Sequence, residues 1–112
     1  MRTAARKVAA NLRYTRTQAI VSRESQALTV DVDKRTYEAP GKSPVALPAS
    51  IDLKLLTAAQ EQVDDGVGRI RVFPDGASTG GHIELIRDQA RWRIDVNWLT
   101  GEVLLQPLGE AD

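Results

Sequence analysis

The 112-residue sequence contains 15 basic and 15 acidic side chains, 42% hydrophobic residues and no cysteine. This length suits one domain with a modest core, and the composition excludes a chain that is disordered throughout. The lack of cysteine excludes disulfides and thiolate metal sites and leaves the redox compartment open.

Charge is distributed unevenly along the chain. Residues 1–25 hold six Lys and Arg against one Glu, a balance of +5, whereas the remaining residues hold nine bases against fourteen acids, a balance of −5. Such asymmetry indicates that the two parts face different surroundings. The predicted organisation is a helical segment over 1–25 followed by a β domain over 26–112.

Residues 2–24 are predicted to form one amphipathic helix, because they are rich in Ala, Arg and Gln and contain no Pro or Gly. The apolar stripe recurs at helical spacing and comprises Ala5, Val8, Leu12, Thr15 and Ala19. An adjoining face gathers Arg2, Arg6, Arg13 and Arg16. This basic face is either a solvated surface or a contact for acidic partners or anionic headgroups.

Seven short strands are predicted after residue 26 from alternation of apolar and polar residues. They centre on residues 28–32, 37, 51–55, 69–72, 82–86, 91–96 and 102–105. Residues 39–44 are predicted to be a loop, 57–68 a flexible excursion with a DDG turn, and 109–112 a frayed tail. Because the connections are too short for parallel crossovers, we expect antiparallel sheets and an α+β fold.

A long turn signal, FPDGASTGG, occupies residues 73–81 between two of these strands. Pro74 cannot donate to a ladder, Asp75 and Ser78 can bond nearby backbone, and the glycines allow positive φ. The segment is therefore predicted to be a shaped loop.

Few residues suggest chemistry. His82 is the only histidine and lacks a paired base or nucleophile motif, so an exposed polar role is expected. Trp92 and Trp98 are expected to be core or interface anchors. GASTGG lacks the GK[ST] of a phosphate loop. Five aspartates could offer oxygen to calcium, although turn formation explains them more simply: Asp31, Asp33, Asp64, Asp65 and Asp75. We expect no cofactor and no metal.

The whole pattern resembles one family. A basic helix containing LRYTRTQAIVSRE, a strand pair, FPDGASTGGHIEL and RWRIDVNWLTGEVLL together resemble the H-type minor pseudopilins of bacterial type II secretion systems, which share a pilin-like domain with certain minor pilins of type IV pili. The resemblance covers nearly the whole chain and implies a helix packed on antiparallel, sandwich-like sheets. Its most specific residues lie in two loops: Phe73, Pro74, Asp75, Gly76, Gly80, Gly81, Trp98, Leu99 and Gly101.

The resemblance implies a non-enzymatic structural role. Family members are single-pass inner-membrane proteins with this domain in the periplasm, and they begin with a leader and an apolar, N-methylated segment. We therefore expect this chain to be the domain without that membrane segment. The implied partners are other minor pseudopilins and the major pseudopilin at the pseudopilus tip, with the secretin or an exported protein as further partners. The candidate partner contacts are Val8, Leu12, Arg13, Arg16 and Ala19, of which the apolar ones would also hold the sheet.

Two alternatives remain at this point. The first is a minor pilin of a type IV pilus that binds DNA, which the net negative charge of residues 26–112 disfavours. The second is an enzyme, for which His82 would be the best candidate residue.

Overall fold

Helix α1 (Arg2–Ser22) opens the chain in the computed structural model, which describes residues 1–108. The predicted helix is confirmed, and it stops two residues earlier than expected because Arg23 adopts a left-handed backbone with φ of 59°. The tail over 109–112, expected to be frayed, lies outside the described residues.

The seven predicted strands are all present, and two more accompany them within the described residues. In chain order the elements after α1 are β1 (Gln26–Asp31), β2 (Thr36–Glu38), β3 (Val45–Ala46), β4 (Asp52–Leu56), a 3₁₀ helix (Ala59–Glu61), β5 (Gln62–Asp64), β6 (Val67–Val72), β7 (Gly81–Arg87), β8 (Ala90–Val96) and β9 (Val103–Pro107). The loop predicted over residues 39–44 is confirmed.

The strands form two antiparallel sheets. The first has the order β3-β2-β1-β6-β5, and the second has the order β4-β7-β8-β9. Helix α1 packs on β1 and β6 of the first sheet and on β8 and β9 of the second. The α+β architecture expected from the sequence is therefore confirmed, and the loop over residues 73–81 carries the chain from one sheet to the other.

Alternation along the strands builds the core. In β1 the buried residues are Leu28 and Val30, and in β8 they are Ile94 and Val96. The helix contributes small and branched side chains that are almost completely buried: Ala5, Val8, Ala9, Leu12, Thr15 and Ala19. Burial of a side chain such as Leu12 stabilises the fold by about 1.5–3 kcal/mol.

The segment over residues 57–68 differs from its prediction. Instead of a flexible excursion, it forms the 3₁₀ helix and the β5–β6 hairpin, whose turn includes the predicted DDG. An ion pair between Arg71 Nε and Glu61 Oε1, 3.0 Å long, ties the 3₁₀ helix to β6. The strand escaped prediction because every residue of β5 is exposed, so no apolar alternation marks it.

None of the helices within residues 1–108 combines the length and the apolar character that crossing a membrane requires.

Candidate assembly surface

The apolar stripe of α1 faces inward. Val8, Leu12 and Ala19 expose no more than 1% of their surface, on a helix that packs against both sheets. They were candidate partner contacts, and this part of the expectation is corrected: they hold the helix to the fold and leave almost no side-chain surface for a partner. Arg13 and Arg16, on the adjoining face, remain accessible.

Arg16 joins the helix to two loops. Its Nε donates to the carbonyl oxygen of Thr100 at 3.2 Å, and its guanidinium lies against Gly76 and Gly101. A Cβ atom on Gly76 would lie 2.9 Å from Arg16 Nη2, and one on Gly101 would overlap the carbonyl oxygen of Gly76. Both positions also have positive φ, 92° and 71°, so the close approach of the two loops depends on glycine.

Ser78 links the same two loops through its backbone and its hydroxyl. Its amide donates to the carbonyl of Trp98 at 2.8 Å, and its hydroxyl donates to the carbonyl of Asn97 at 2.9 Å. The hydroxyl also accepts from the amide of Gly80 at 2.9 Å. Because Ser78 is only 5% exposed, these bonds are shielded from water and fix the relative position of the loops.

Each loop is also shaped from within. Asp75 Oδ1 accepts from the amide of Ala77 at 3.0 Å, so its predicted turn-forming role is confirmed. Asn97 Oδ1 accepts from the amides of Leu99 and Thr100 at 2.8 and 3.1 Å. Sequence reasoning did not single out Asn97, although an asparagine directly before WLTG is a recognisable turn signal.

The joined loops present apolar side chains to solvent. Trp98 is 66% exposed, Leu99 is 64% exposed, and Phe73 is also exposed. The two tryptophans therefore differ: Trp92 packs against the core as a partly buried side chain, whereas Trp98 projects from the fold. Exposed large apolar residues rimmed by polar ones are typical of protein contact surfaces.

A groove of about 540 Å³ separates the C-terminal half of α1 from the turn before β9. It is lined by Arg13, Arg16, Thr17, Thr100, Gly101, Glu102 and Val103. Arg13 Nη2 donates to the carbonyl of Val103 at 3.3 Å across it. Both candidate arginines thus line one groove, and we call this feature the arginine groove.

The outer face of the second sheet carries ion pairs. Arg91 Nη2 lies 2.6 Å from Glu84 Oε1, and this hydrogen bond lowers the pKa of Glu84 below its ordinary value. His82 Nδ1 lies 3.9 Å from Asp95 Oδ1, too far for a hydrogen bond, and this oxygen accepts a hydrogen bond from Arg93 Nε at 3.0 Å. His82 is partly buried, so the expectation of an exposed side chain is corrected.

Aspartates considered as calcium ligands accept hydrogen bonds from backbone amides in local turns. Asp31 Oδ1 accepts from the amide of Lys34 at 3.0 Å, and Asp64 Oδ1 accepts from the amide of Asp65 at 2.8 Å. Across the described part of the chain, no three His, Asp or Glu side chains are grouped as a metal site would require.

A helix packed on two antiparallel sheets, with two interlocked loops beside its C-terminal half, defines a pilin-like domain. Residues 4–101 match the family described as type II transport protein GspH. The chain belongs to this family. It is 47% identical over 108 residues to type II secretion system protein H of Xanthomonas campestris pv. campestris, covering 96% of this chain and 64% of that protein's length.

Solved structures share the fold. The minor pseudopilin EpsH from the type 2 secretion system of Vibrio cholerae matches with a TM-score of 0.75 at 16% identity, covering 97% of this chain and 98% of that one. The type IV minor pilin FimU of Pseudomonas aeruginosa matches with a TM-score of 0.67 at 17% identity, covering 95% of this chain and 87% of that one. At these identities the likeness concerns the fold.

Proposed function

We propose that this chain is the globular domain of a minor pseudopilin that acts as a non-enzymatic component of a type II secretion pseudopilus. The observation that carries the proposal is its 47% identity over 108 residues to a type II secretion system protein H. In this role it supports the export of folded proteins across the outer membrane. This domain would lie in the periplasm, and the full-length protein would be anchored in the inner membrane.

The arrangement of side chains suits assembly rather than catalysis. The helix is buried along one side by both sheets, while the loops at 73–81 and 97–101 project Trp98 and Leu99 into solvent from a backbone held by Ser78 and Arg16. A rigid surface with exposed apolar anchors avoids much of the ordering cost of association. We propose other minor pseudopilins and the major pseudopilin as the partners of this surface, and the secretin or an exported protein as further partners.

Co-purification tests the proposal. The 112-residue chain, immobilised through a tag, is exposed to the other pseudopilins of the same bacterium purified in detergent. We expect at least one minor pseudopilin to be retained. If the whole set flows through, the assembly role is contradicted. A bacterium carrying His82→Ala should secrete as well as the parent strain, because no catalysis is proposed at this residue.

A type IV pilus is the second candidate, favoured by the fold likeness to FimU. In that setting the domain would belong to a minor pilin, and binding of DNA during uptake would require a basic surface on the globular part. Residues 26–112 instead have an excess of acidic side chains, nine bases against fourteen acids. A gel shift at low salt distinguishes the two, since tight, salt-sensitive DNA binding would favour the pilus.

A further inference from the structure

The arginine groove holds two cations that each donate few hydrogen bonds within residues 1–108. Arg13 donates through Nη2 to Val103, and Arg16 donates through Nε to Thr100. A guanidinium has five N–H donors, so each side chain keeps several for a further acceptor. Within residues 1–108 neither arginine forms an ion pair with a carboxylate.

The helix places the two charges side by side. Arg13 and Arg16 are three residues apart on α1, so they occupy neighbouring positions on one face. Their mutual repulsion is unfavourable in the isolated chain, and Arg16 is held in place over Gly76 and Gly101. A carboxylate entering the groove would relieve that repulsion and could accept from both guanidinium groups.

The charge of the groove limits what can bind. Glu102 also lines it, and its carboxylate forms no ion pair with either arginine in the described part of the chain. One acid against two bases accommodates a single additional carboxylate, whereas the crowded negative charges of a nucleic acid or a lipid surface would meet repulsion from Glu102.

Two exposed apolar side chains in the same turn point to a protein as the source of that carboxylate. Trp98 and Leu99 precede Thr100 and Gly101 in the same turn and expose about two thirds of their surface, 66% and 64%. Exposed aromatic and aliphatic anchors beside charged groups are typical of protein contact surfaces. A free anion would make no use of these apolar side chains.

We propose that the arginine groove binds an Asp or Glu side chain of a neighbouring pseudopilin, while Trp98 and Leu99 pack on apolar residues beside that acid. This inference rests on the proposed assembly role and adds to it the chemistry and the position of the contact. The partner segment carries one acidic residue flanked by apolar ones.

Charge reversal in the groove gives the first test. Arg13→Glu removes the cation without disturbing the hold of Arg16 on the two loops, and Arg6→Glu is its matched control because Arg6 is an exposed arginine of the same helix outside the groove. Affinity for each retained pseudopilin is measured by calorimetry. We expect Arg13→Glu to weaken binding by about tenfold or more, since like charges across an interface are strongly unfavourable, and Arg6→Glu to change it little.

A steric test covers the case in which Arg13→Glu impairs folding. Thr17→Trp fills the groove from an exposed helical position, and Ala10→Trp adds the same ring to an exposed position outside it. We expect only Thr17→Trp to weaken binding. Leu99→Ser should weaken it as well, in contrast to Leu56→Ser, which removes an exposed leucine from β4.

A charge swap identifies the acid. Each Asp and Glu of the retained partner is replaced in turn by Lys, and we expect one replacement to restore binding to Arg13→Glu. If the wild-type chain binds a partner and both Arg13→Glu and Thr17→Trp bind it equally well, the proposed binding in the groove is refuted and the assembly role stands. Equal weakening by Arg6→Glu and Arg13→Glu would also refute it. If the wild-type chain binds no pseudopilin, both proposals fall.

Discussion

Two glycine-containing connections of this chain are held in different ways. The loop over residues 73–81 is locked to the turn over 97–101 through Ser78, and both are held by Arg16 of the helix. The segment over 57–68 is exposed along β5, and its ion pair of Glu61 with Arg71 reaches only the neighbouring strand. Similar turn residues thus produce an interlocked surface in one region and a peripheral hairpin in the other.

The difference shows that contacts with residues distant in the chain determine the structure that a turn sequence adopts. Both connections contain Asp and Gly in positions that favour turns. Only the loop over 73–81 meets groups brought from the helix and from the last hairpin. We therefore expect substitutions in the interlocked loops to act on the whole domain and those in the peripheral hairpin to act locally.

The largest effect is expected at Gly101. Gly101→Ala places a Cβ against the carbonyl oxygen of Gly76 in a left-handed backbone, with φ of 71°. The cost should be roughly 3–5 kcal/mol of unfolding free energy, measured by urea titration. Gly41→Ala is the matched control, because Gly41 has the same φ of 71° and nothing within 4 Å of the added atom. It should cost only about 1–2 kcal/mol, and equal costs at the two positions would contradict the interlocking.

A smaller effect is expected at Ser78. Ser78→Ala removes a buried hydroxyl that serves Asn97 and Gly80, and leaving these backbone groups unpaired should cost about 1–3 kcal/mol. In the peripheral hairpin, Gln62→Ala removes two exposed hydrogen bonds, which the Gln62 side chain donates to the carbonyls of Asp64 and Val67. This change should cost less than about 0.5 kcal/mol. Chemical denaturation of both variants measures the contrast, which fails if Gln62→Ala is the more damaging.

A local effect is expected at Glu61. Glu61→Gln weakens the ion pair with Arg71. The side chain of Glu61 is only 10% exposed and that of Arg71 is 27% exposed. We expect a loss of about 1 kcal/mol, expressed as faster amide exchange in β5. Faster exchange in the 73–81 loop of this variant would show that the two regions are coupled after all.

The smallest effect is expected at Glu84, outside both regions. Arg91 lowers the pKa of Glu84 in the folded chain, so the pair stabilises the fold above the ordinary pKa of 4.5 and loses this contribution as the pH falls through the folded value. Glu84→Gln should therefore cost up to about 1 kcal/mol at neutral pH and nothing at strongly acid pH. Glu38→Gln, at an exposed position without an ion pair in the described residues, is the control. Unfolding curves measured between neutral and strongly acid pH check this expectation. The contrast between the loop over 73–81 and the segment over 57–68 should stay unchanged over this range.

Much of the fold was predictable because it follows from the local spacing of apolar residues. The helix over 2–24 and the seven strands were found from apolar spacing, and the loop over 73–81 from its glycines and Asp75. The two missed strands, β3 and β5, are two and three residues long and exposed, so neither carries a pattern. Short strands of this kind are defined by their neighbours.

The candidate site was predictable only in part. Arg16 was recognised as part of a basic face, yet its contact with Thr100 joins residues 84 positions apart in the chain. Such a contact cannot be inferred from the spacing of residues along the chain. The same limit explains why Val8, Leu12 and Ala19 were assigned both to the sheet and to a partner: an apolar stripe shows that a helix face is covered, and the fold shows that the chain's own sheets cover it.

Native-state hydrogen exchange of the wild-type chain tests the central claim most directly. The amides to follow are those of Ser78, Thr79 and Gly101 in the interlocked loops, which donate to Trp98, Arg71 and Asn97, and those of β5 in the peripheral hairpin. We predict that the loop amides exchange with free energies close to that of global unfolding, and that the amides of β5 exchange several kcal/mol below it, as expected for local opening. Equal, low protection in the two regions would contradict the account, because the loops would then open independently of the fold.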